Sequence, residues 1–365
     1  MITRPTLLLD KQKCLANIST MVNKAKKAGV VLRPHFKTHQ SHEIGRWFRE
    51  IGIDRITCSS LSMANYFAED GWSDITIAFP VNVLEIETIN KLAAKVKLNL
   101  LVETVEAVEL ISGKLTSKIN LFIKIDAGYG RTGIDYMNLK KIDNVIEAIS
   151  RHDYLNFSGF LEHAGHSYNA RGQEEIMKVH FETLENMATL KARYMQAFPE
   201  PVISVGDTPT CSVAEDFGAA DEIRPGNFVF YDLMQEQIGA CDYEQIAVIM
   251  ACPVVALHPE RNEIVVYGGG VHFSKDRIVN NGKTVFGKVV ENNGAGWGDV
   301  IEDTYVKSLS QEHGIIKATD SFLKRKKIGD IVKILPVHSC MAADLMDGYL
   351  TTDGEWLEKR VNSLS

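Results

Sequence analysis

Between Val30 and Gly226 the sequence repeats one rhythm: a short apolar run, then a stretch long enough for a helix. The runs are Val30–Phe36, Arg55–Cys58, Asp74–Ala78, Lys97–Val102, Ile119–Asp126, Asn156–Gly165, Pro201–Gly206 and Asp221–Gly226. Strands separated by helical crossovers must lie parallel, because a hairpin turn is too short to reverse them twice. The intervening stretches support this. After Gly165, apolar residues at Ile176, Val179, Leu184, Met187 and Tyr194 approximate helical spacing. Eight such strands predict an α/β fold of the (β/α)8 TIM-barrel type. A doubly wound open sheet shares the rhythm, and the strand count favours the barrel.

After about residue 240 the rhythm stops. EQIAVIMACPVVALHP, NEIVVYGG, KTVFGKVV and GDIVKILPVHSC are strand-like runs joined by Gly, Asn and Asp turns. They predict a second, mostly β domain, with the barrel over 1–240 and the β domain over 241–365. A chain of 365 residues accommodates both. Its net charge of −7 argues against nucleic acid as a partner. No apolar stretch approaches the roughly 20 residues that span a bilayer, and the N-terminal apolar run is too short for a signal peptide. A cytoplasmic protein is expected, with its cysteines, scattered singly as Cys14, Cys58, Cys211, Cys241, Cys252 and Cys340, mostly buried and reduced.

Barrel enzymes carry their chemistry at the C-terminal ends of the strands. Here those ends hold His35, Lys37 and His39; Asp126, Gly128 and Arg131; His163, His166 and Tyr168; Gly206, Thr208 and Thr210; and Arg224 and Gly226. VGDTPT, Val205 to Thr210, offers a glycine, two hydroxyls and backbone N–H groups, which suits a phosphate, although an ordinary turn has the same composition. Asp207 would repel a phosphate that its side chain faced. Lys37 ends a buried strand among histidines. Partial burial and cationic neighbours would lower an amine from about 10.4, and a neutral amine can form a Schiff base with an aldehyde. A Schiff-base lysine with a phosphate cradle points to pyridoxal 5'-phosphate (PLP). In PVHSC, His338 and Cys340 close an apolar run read as a strand, where residues two apart share a face and can grip one metal ion. Mixed N/S ligation suits Zn²⁺ better than Mg²⁺ or Mn²⁺, with other donors completing the site.

Together these segments resemble the fold-type III PLP enzymes of the D-serine dehydratase and D-threonine aldolase group, relatives of the alanine racemases. The resemblance runs from RPTLLLD to PVHSCMAADL, nearly the whole chain. RPHFKTH resembles the PLP-lysine motif, which implies Lys37 as the Schiff-base residue. GYGRTG resembles the segment whose arginine lies beside the cofactor, here Arg131. EHAGHSY resembles the segment whose first histidine stacks on the pyridine ring, which implies His163, with Tyr168 nearby. VGDTPT and RPGNF resemble the phosphate loops, implying Gly206, Thr208, Thr210, Gly226 and Asn227, with Arg224 where the racemase branch faces the pyridine nitrogen. The dehydratase branch has a His-x-Cys zinc pair, whereas the aldolases tend to His-x-Asp with Mn²⁺ or Mg²⁺. Cys340 therefore tilts the reading towards a PLP- and zinc-dependent dehydratase of D-serine or a related β-hydroxy D-amino acid. A D-threonine or 3-hydroxyaspartate aldolase is the alternative, and a non-catalytic PLP-binding protein a remoter one. Ser41 stands where true racemases have a tyrosine, which argues against racemization. The resemblance also implies a homodimer.

Overall fold

The apolar runs of the first two-thirds of the chain form parallel strands in the computed structural model, which describes residues 2–198 and 200–361. In chain order the first ten strands are β1 (Thr6–Leu9), β2 (Val31–Leu32), β3 (Ile56–Cys58), β4 (Asp74–Pro80), β5 (Lys97–Val102), β6 (Ile119–Asp126), β7 (Ile134–Asp135), β8 (Leu155–Leu161), β9 (Val202–Val205) and β10 (Glu222–Ile223). Eight of them pair in parallel in the order β2-β10-β9-β8-β6-β5-β4-β3. A parallel bridge between His35 and Thr57 joins the two ends of that path. There the Phe36 N–H donates to the Thr57 carbonyl and the Thr57 N–H to the Pro34 carbonyl, each at 2.9 Å. The sheet thus closes into a (β/α)8 barrel, and the open doubly wound alternative falls.

Closure accounts for the composition of the strands. A parallel strand covered on both faces can be apolar almost throughout. In β6, INLFIKID, only Asn120 and Asp126 are partly exposed. The helix Gln173–Tyr194 buries Ile176, His180, Leu184, Met187 and Leu190, so His180 replaces the expected Val179 in its inward stripe. One strand is shorter than its sequence predicts. The regular strand in the run Val30–Phe36 stops after Leu32, where the next bond to the Arg33 carbonyl would need an N–H that Pro225 lacks. The Arg33 and His35 N–H groups still donate to the Ile223 and Pro225 carbonyls at 2.9 Å, and His35 forms the single bridge to Thr57. Lys37 consequently lies in the turn beyond the strand.

The barrel strands belong to a unit made of Ser19–Lys37 and Gly45–Gly226. A second unit comprises Met1–Ile18, Thr38–Ile44 and Asn227–Ser365. Its further strands are β11 (Val248–His258), β12 (Glu263–Tyr267), β13 (Ile278–Asn280), β14 (Lys283–Val285), β15 (Gly287–Asn293), β16 (Gly296–Leu309), β17 (His313–Lys317), β18 (Ile331–Pro336), β19 (Gly348–Thr351) and β20 (Trp356–Glu358). The order β12-β17-β16-β15-β18-β11, with β11 also pairing β12, closes six antiparallel strands. This is the mostly β domain that the sequence predicts. Its limits differ from the expected division at 240. β1 pairs antiparallel with β11, from Thr6↔Ala251 to Leu9↔Val248, which takes the N-terminus into the β unit. Among the described residues no helix is long and apolar enough to cross a membrane.

Candidate active site

The turn that carries Lys37 is anchored by its neighbour. Phe36 is fully buried, with ring centroids 4.9 Å from Phe67 and 5.1 Å from both Phe48 and Trp72. Burying a phenylalanine stabilises by about 1.5–3 kcal/mol, and each aromatic pair adds about 0.5–1.5 kcal/mol. Lys37 itself is exposed, and its N–H donates to His35 Nδ1 at 3.4 Å. The expected partial burial of Lys37 is therefore not present. What the turn supplies instead is a fixed backbone beneath a solvent-facing amine. Burial first, then the charges of Lys37 and Arg224, hold the His35 imidazole well below its ordinary value, so it is neutral.

His39, on the other flank of the motif, belongs to the β unit. It is 1% exposed, its Nδ1 accepts from the Ser41 N–H at 3.1 Å, and its carbonyl accepts from the Tyr349 hydroxyl at 2.6 Å. Burial pushes this imidazole down to about 3. The unfolded imidazole titrates near 6.5, so between about pH 6.5 and about pH 3 the unfolded chain binds the extra proton. Stability from His39 is complete above that window and is lost as pH falls through it. Thermal unfolding of wild type and His39→Gln between about pH 7 and about pH 5 is expected to show a shallower acid dependence in the variant. Equal slopes would refute the assignment.

Three strand ends of the barrel unit meet at His163, just past β8. Its Nδ1 donates to the Gly206 carbonyl at 2.9 Å, which fixes the ring and leaves Nε2 unprotonated. Burial, then the charges of Lys37, Arg131 and Arg224, offset the bond to Gly206 and hold His163 at about 3. Tyr129 stands edge-on to His163 at 6.0 Å, and Tyr168 lies tilted at 6.3 Å. Arg131 is exposed and lies over the Tyr129 ring at 5.1 Å. Its loop is shaped by Asp126, whose carboxylate accepts from the N–H groups of Gly128 and Gly130. Gly206 is required. Its φ is +148°, and a Cβ there would stand 2.5 Å from Arg224 N.

Arg224 is 4% exposed. Its Nε donates to Ser204 Oγ at 2.6 Å, and Nη2 donates to the carbonyls of Ser204 (3.2 Å) and Glu162. Thr210 is less available to a phosphate than its position in VGDTPT suggests. Asp207 caps the helix Thr208–Val213, and its carboxylate accepts from both the N–H and the hydroxyl of Thr210 at 2.8 Å and from the Ser167 hydroxyl at 2.7 Å. Asp207 is thereby occupied within the fold, and Gly206, Thr208 and the buried Gly226 keep their places along the loops. The donor set fits PLP: Lys37, Arg131 and Arg224 act on the two neutral imidazoles His35 and His163. Such a cationic cluster suits a phosphorylated aldehyde.

The metal pair lies in the β unit, and its local structure differs from the strand expected. β18 ends at Pro336, His338 is the N-cap of the helix Ser339–Asp344, and Cys340 is in that helix's first turn. Asp232 starts the helix by accepting from the Ser339 N–H at 2.8 Å. The two residues are two positions apart at the start of that helix, and the sulfur acts electrostatically on the imidazole. His338 Nδ1 faces Asp276 Oδ2 at 2.9 Å, the carboxylate contact that orients metal-binding histidines. Burial lowers His338, but Asp276, Cys340 and Asp232 outweigh it and hold the imidazole up at about 11. The same negative partners favour a divalent cation. Cys340 Sγ also lies 3.1 Å from Thr38 Oγ1 and 3.4 Å from Asn227 Nδ2. The Asn227 amide also donates to Asp232 (2.7 Å) and Ser339 (3.0 Å), which puts this side chain with the metal pair. Among the described residues no third His, Cys, Asp or Glu completes a cluster. The pair fits a metal that takes its remaining ligands from water or substrate.

A closed parallel barrel with a lysine turn, followed by an antiparallel domain with a His-x-Cys pair, defines an alanine racemase-like enzyme of PLP fold-type III. The family model "Alanine racemase, N-terminal domain" matches residues 9–233, and the chain belongs to that family. "Putative serine dehydratase domain" matches residues 247–352. D-serine dehydratase of Dictyostelium discoideum is 29% identical over 95% of this chain and 93% of the relative. D-threo-3-hydroxyaspartate dehydratase of Delftia sp. is 28% identical over 96% of this chain and 94% of the relative. Its solved structure superposes with a TM-score of 0.91 at 26% identity, over 99% of this chain and 98% of the other. A cysteine-to-alanine variant of that enzyme is described in a metal-free form. D-threonine aldolase of Arthrobacter sp. is 24% identical over 95% of this chain and 88% of the relative. The chain is a D-serine dehydratase-like, PLP-dependent lyase.

Proposed function

We propose that the protein is a PLP- and zinc-dependent lyase that converts D-serine, or a related β-hydroxy D-amino acid, to a keto acid and ammonia. The observation that carries this reading is the placing of His338 and Cys340 two residues apart at one helix start, with Asp276 2.9 Å from His338 Nδ1, since a thiolate ligand suits zinc and the dehydratase outcome. When bound, PLP supplies an electron sink at the α-carbon and zinc supplies Lewis acidity at the β-oxygen. Lys37 would hold the cofactor through its amine, and its Nζ would be the base that takes the α-proton. His163, fixed by Gly206, keeps a neutral ring against the cofactor, with Tyr168 beside it. Arg131 would lie at the cofactor's edge, and Arg224, as a cation facing the pyridine nitrogen, would keep that nitrogen unprotonated. Gly206, Thr208, Gly226 and Asn227 would line the phosphate, whereas Thr210, whose N–H and hydroxyl both donate to Asp207, would shape the loop beside it. His338 and Cys340 hold the metal, with Asp276 orienting His338. On this reading the enzyme is a cytoplasmic homodimer.

The test is a product assay on the protein loaded with PLP and Zn²⁺, or with Mn²⁺ in parallel. D-serine is expected to yield pyruvate and ammonia in equal amounts. Glycine and acetaldehyde from D-threonine, without any keto acid, would overturn dehydration in favour of aldol cleavage.

A further inference from the structure

A chain of side-chain hydrogen bonds runs through the barrel unit and ends on Arg224. Arg224 Nε donates to Ser204 Oγ at 2.6 Å, and the Ser204 hydroxyl donates to Glu222 Oε1 at 2.6 Å. Glu222 Oε2 accepts from Arg33 Nε at 2.8 Å, and Arg33 Nη1 donates to Asp74 Oδ1 at 2.7 Å. Beyond Asp74 the chain reaches solvent at Lys97, 3.2 Å away. Ser204 and Glu222 are in register on β9 and β10, so the hydroxyl and the carboxylate meet without distortion. Arg33, Ser204, Glu222 and Arg224 are each no more than 4% exposed.

Charges of alternating sign are an expensive way to fill a barrel. Desolvating each ion costs several kcal/mol, and apolar side chains of similar volume would often serve stability as well or better. The direction of the bonds indicates a use. A hydroxyl has a single proton, so once Ser204 donates to Glu222, only its lone pairs remain for the Arg224 Nε–H. The relay is therefore polarised one way, with Glu222 accepting, Ser204 transmitting and Arg224 donating. An anionic acceptor at the far end also strengthens the Ser204–Arg224 bond. With Nε held by the Ser204 hydroxyl and Nη2 by the Ser204 and Glu162 carbonyls, the planar guanidinium cannot turn, and Nη1 keeps one orientation.

We propose that Glu222, acting through Ser204, is a positioning residue that fixes the orientation of Arg224 in the cofactor pocket. This rests on the reading that Arg224 faces the cofactor. The experiment is chosen so that the two can fail separately. In the apo full-length protein, solvent exchange of the Arg224 Nε–H is read by ¹⁵N NMR. Ser204→Ala and Glu222→Gln are expected to speed it at least about tenfold, a bond opened in the native state, and Ser204→Thr, which keeps the hydroxyl, to restore it. With PLP added, Glu222→Gln is expected to weaken cofactor binding about tenfold, the loss of one charge-assisted contact, and to move the visible band. Glu222→Asp is expected to recover most of both, and Asp74→Asn, beyond Arg33, to leave both unchanged. Unaltered Nε–H exchange in Ser204→Ala overturns the proposal, as does an Asp74→Asn effect equal to that of Glu222→Gln. If Glu222→Gln does not fold, the Ser204 pair decides. A wild-type protein that shows no PLP band overturns the cofactor reading instead, and the exchange rates still decide the positioning.

Discussion

Replacing Lys37 with alanine is expected to abolish the visible band of bound PLP and to cut keto acid formation from D-serine by at least about 10³-fold. The size follows from the two tasks lost together. General-base assistance alone is worth roughly 10²–10⁴-fold, and the covalent attachment that orients the cofactor goes with it. The structure separates this chemical loss from any loss of fold. Lys37 is exposed, and the turn is held by Phe36 in its cage of Phe48, Phe67 and Trp72, none of which the substitution touches. Exposed substitutions away from such anchors usually change stability by less than about 0.5 kcal/mol. The melting temperature of the apo variant should therefore match wild type. Absorption spectra after reconstitution, together with a pyruvate assay, check both halves. A variant that keeps the band has its Schiff base elsewhere, and the assignment of Lys37 falls.

Most of the barrel was legible because its determinants are local and repeated. A continuous apolar run such as INLFIKID (Ile119–Asp126) admits a strand covered on both faces, and the helix-length gaps leave parallel pairing as the way to join such strands. The closure of the barrel was less legible. It depends on one bridge, His35 to Thr57, in a run whose regular strand ends at Leu32. The compact units have limits other than a single cut at 240 for a related reason. β1 is four residues long, TLLL, and nothing local tells that its partner is β11, more than two hundred residues away. Long-range pairing of a short strand carries no periodicity of its own.

Within the site, legibility tracked how each residue is placed. His163 and Gly206 sit at strand ends, and strand ends are visible in the sequence; their contact follows from β8 and β9 being neighbours. Tyr129 stood in the motif GYGRTG but was silent, because an aromatic in a glycine-rich loop has no spacing to mark it. Gly165 now does: a Cβ there would lie 2.3 Å from the Tyr129 ring, so the glycine makes room for it. Asp276 was likewise invisible, an acidic residue in a turn more than sixty positions before His338. His338 and Cys340 were paired on a local structure that differs from the one present. Strand alternation predicted a shared face, whereas an N-cap followed by a helical turn brings them together. The residues of Arg224's relay show the same limit. Arg33, Ser204 and Glu222 each read as an ordinary polar residue near a strand, and only the register of β9 and β10 makes them one device.

Replacing Cys340 should have the second large effect, and the choice of substituent makes it informative. Cys340→Ala is expected to reduce bound zinc to below about a tenth of an equivalent by elemental analysis and to remove most dehydratase activity, while PLP still binds. With only two protein ligands in the described cluster, losing one leaves His338 alone, too little to hold a divalent ion against water. A modest cost in stability should accompany it. Cys340 is 9% exposed and its sulfur is the partner of the buried Thr38 hydroxyl, and leaving such a buried group unpaired costs about 1–3 kcal/mol. Cys340→Asp replaces a soft thiolate with a hard carboxylate of similar reach, so metal binding should return with its preference moved from Zn²⁺ towards Mn²⁺. Elemental analysis after equilibration with both ions, followed by product assays on D-serine and D-threonine, tests the shift. Should the aspartate variant release glycine and acetaldehyde from D-threonine, the ligand beside His338 directs which bond breaks. Should Cys340→Ala keep full zinc and full activity, Cys340 is a buried thiol and the metal, if there is one, is held by other residues.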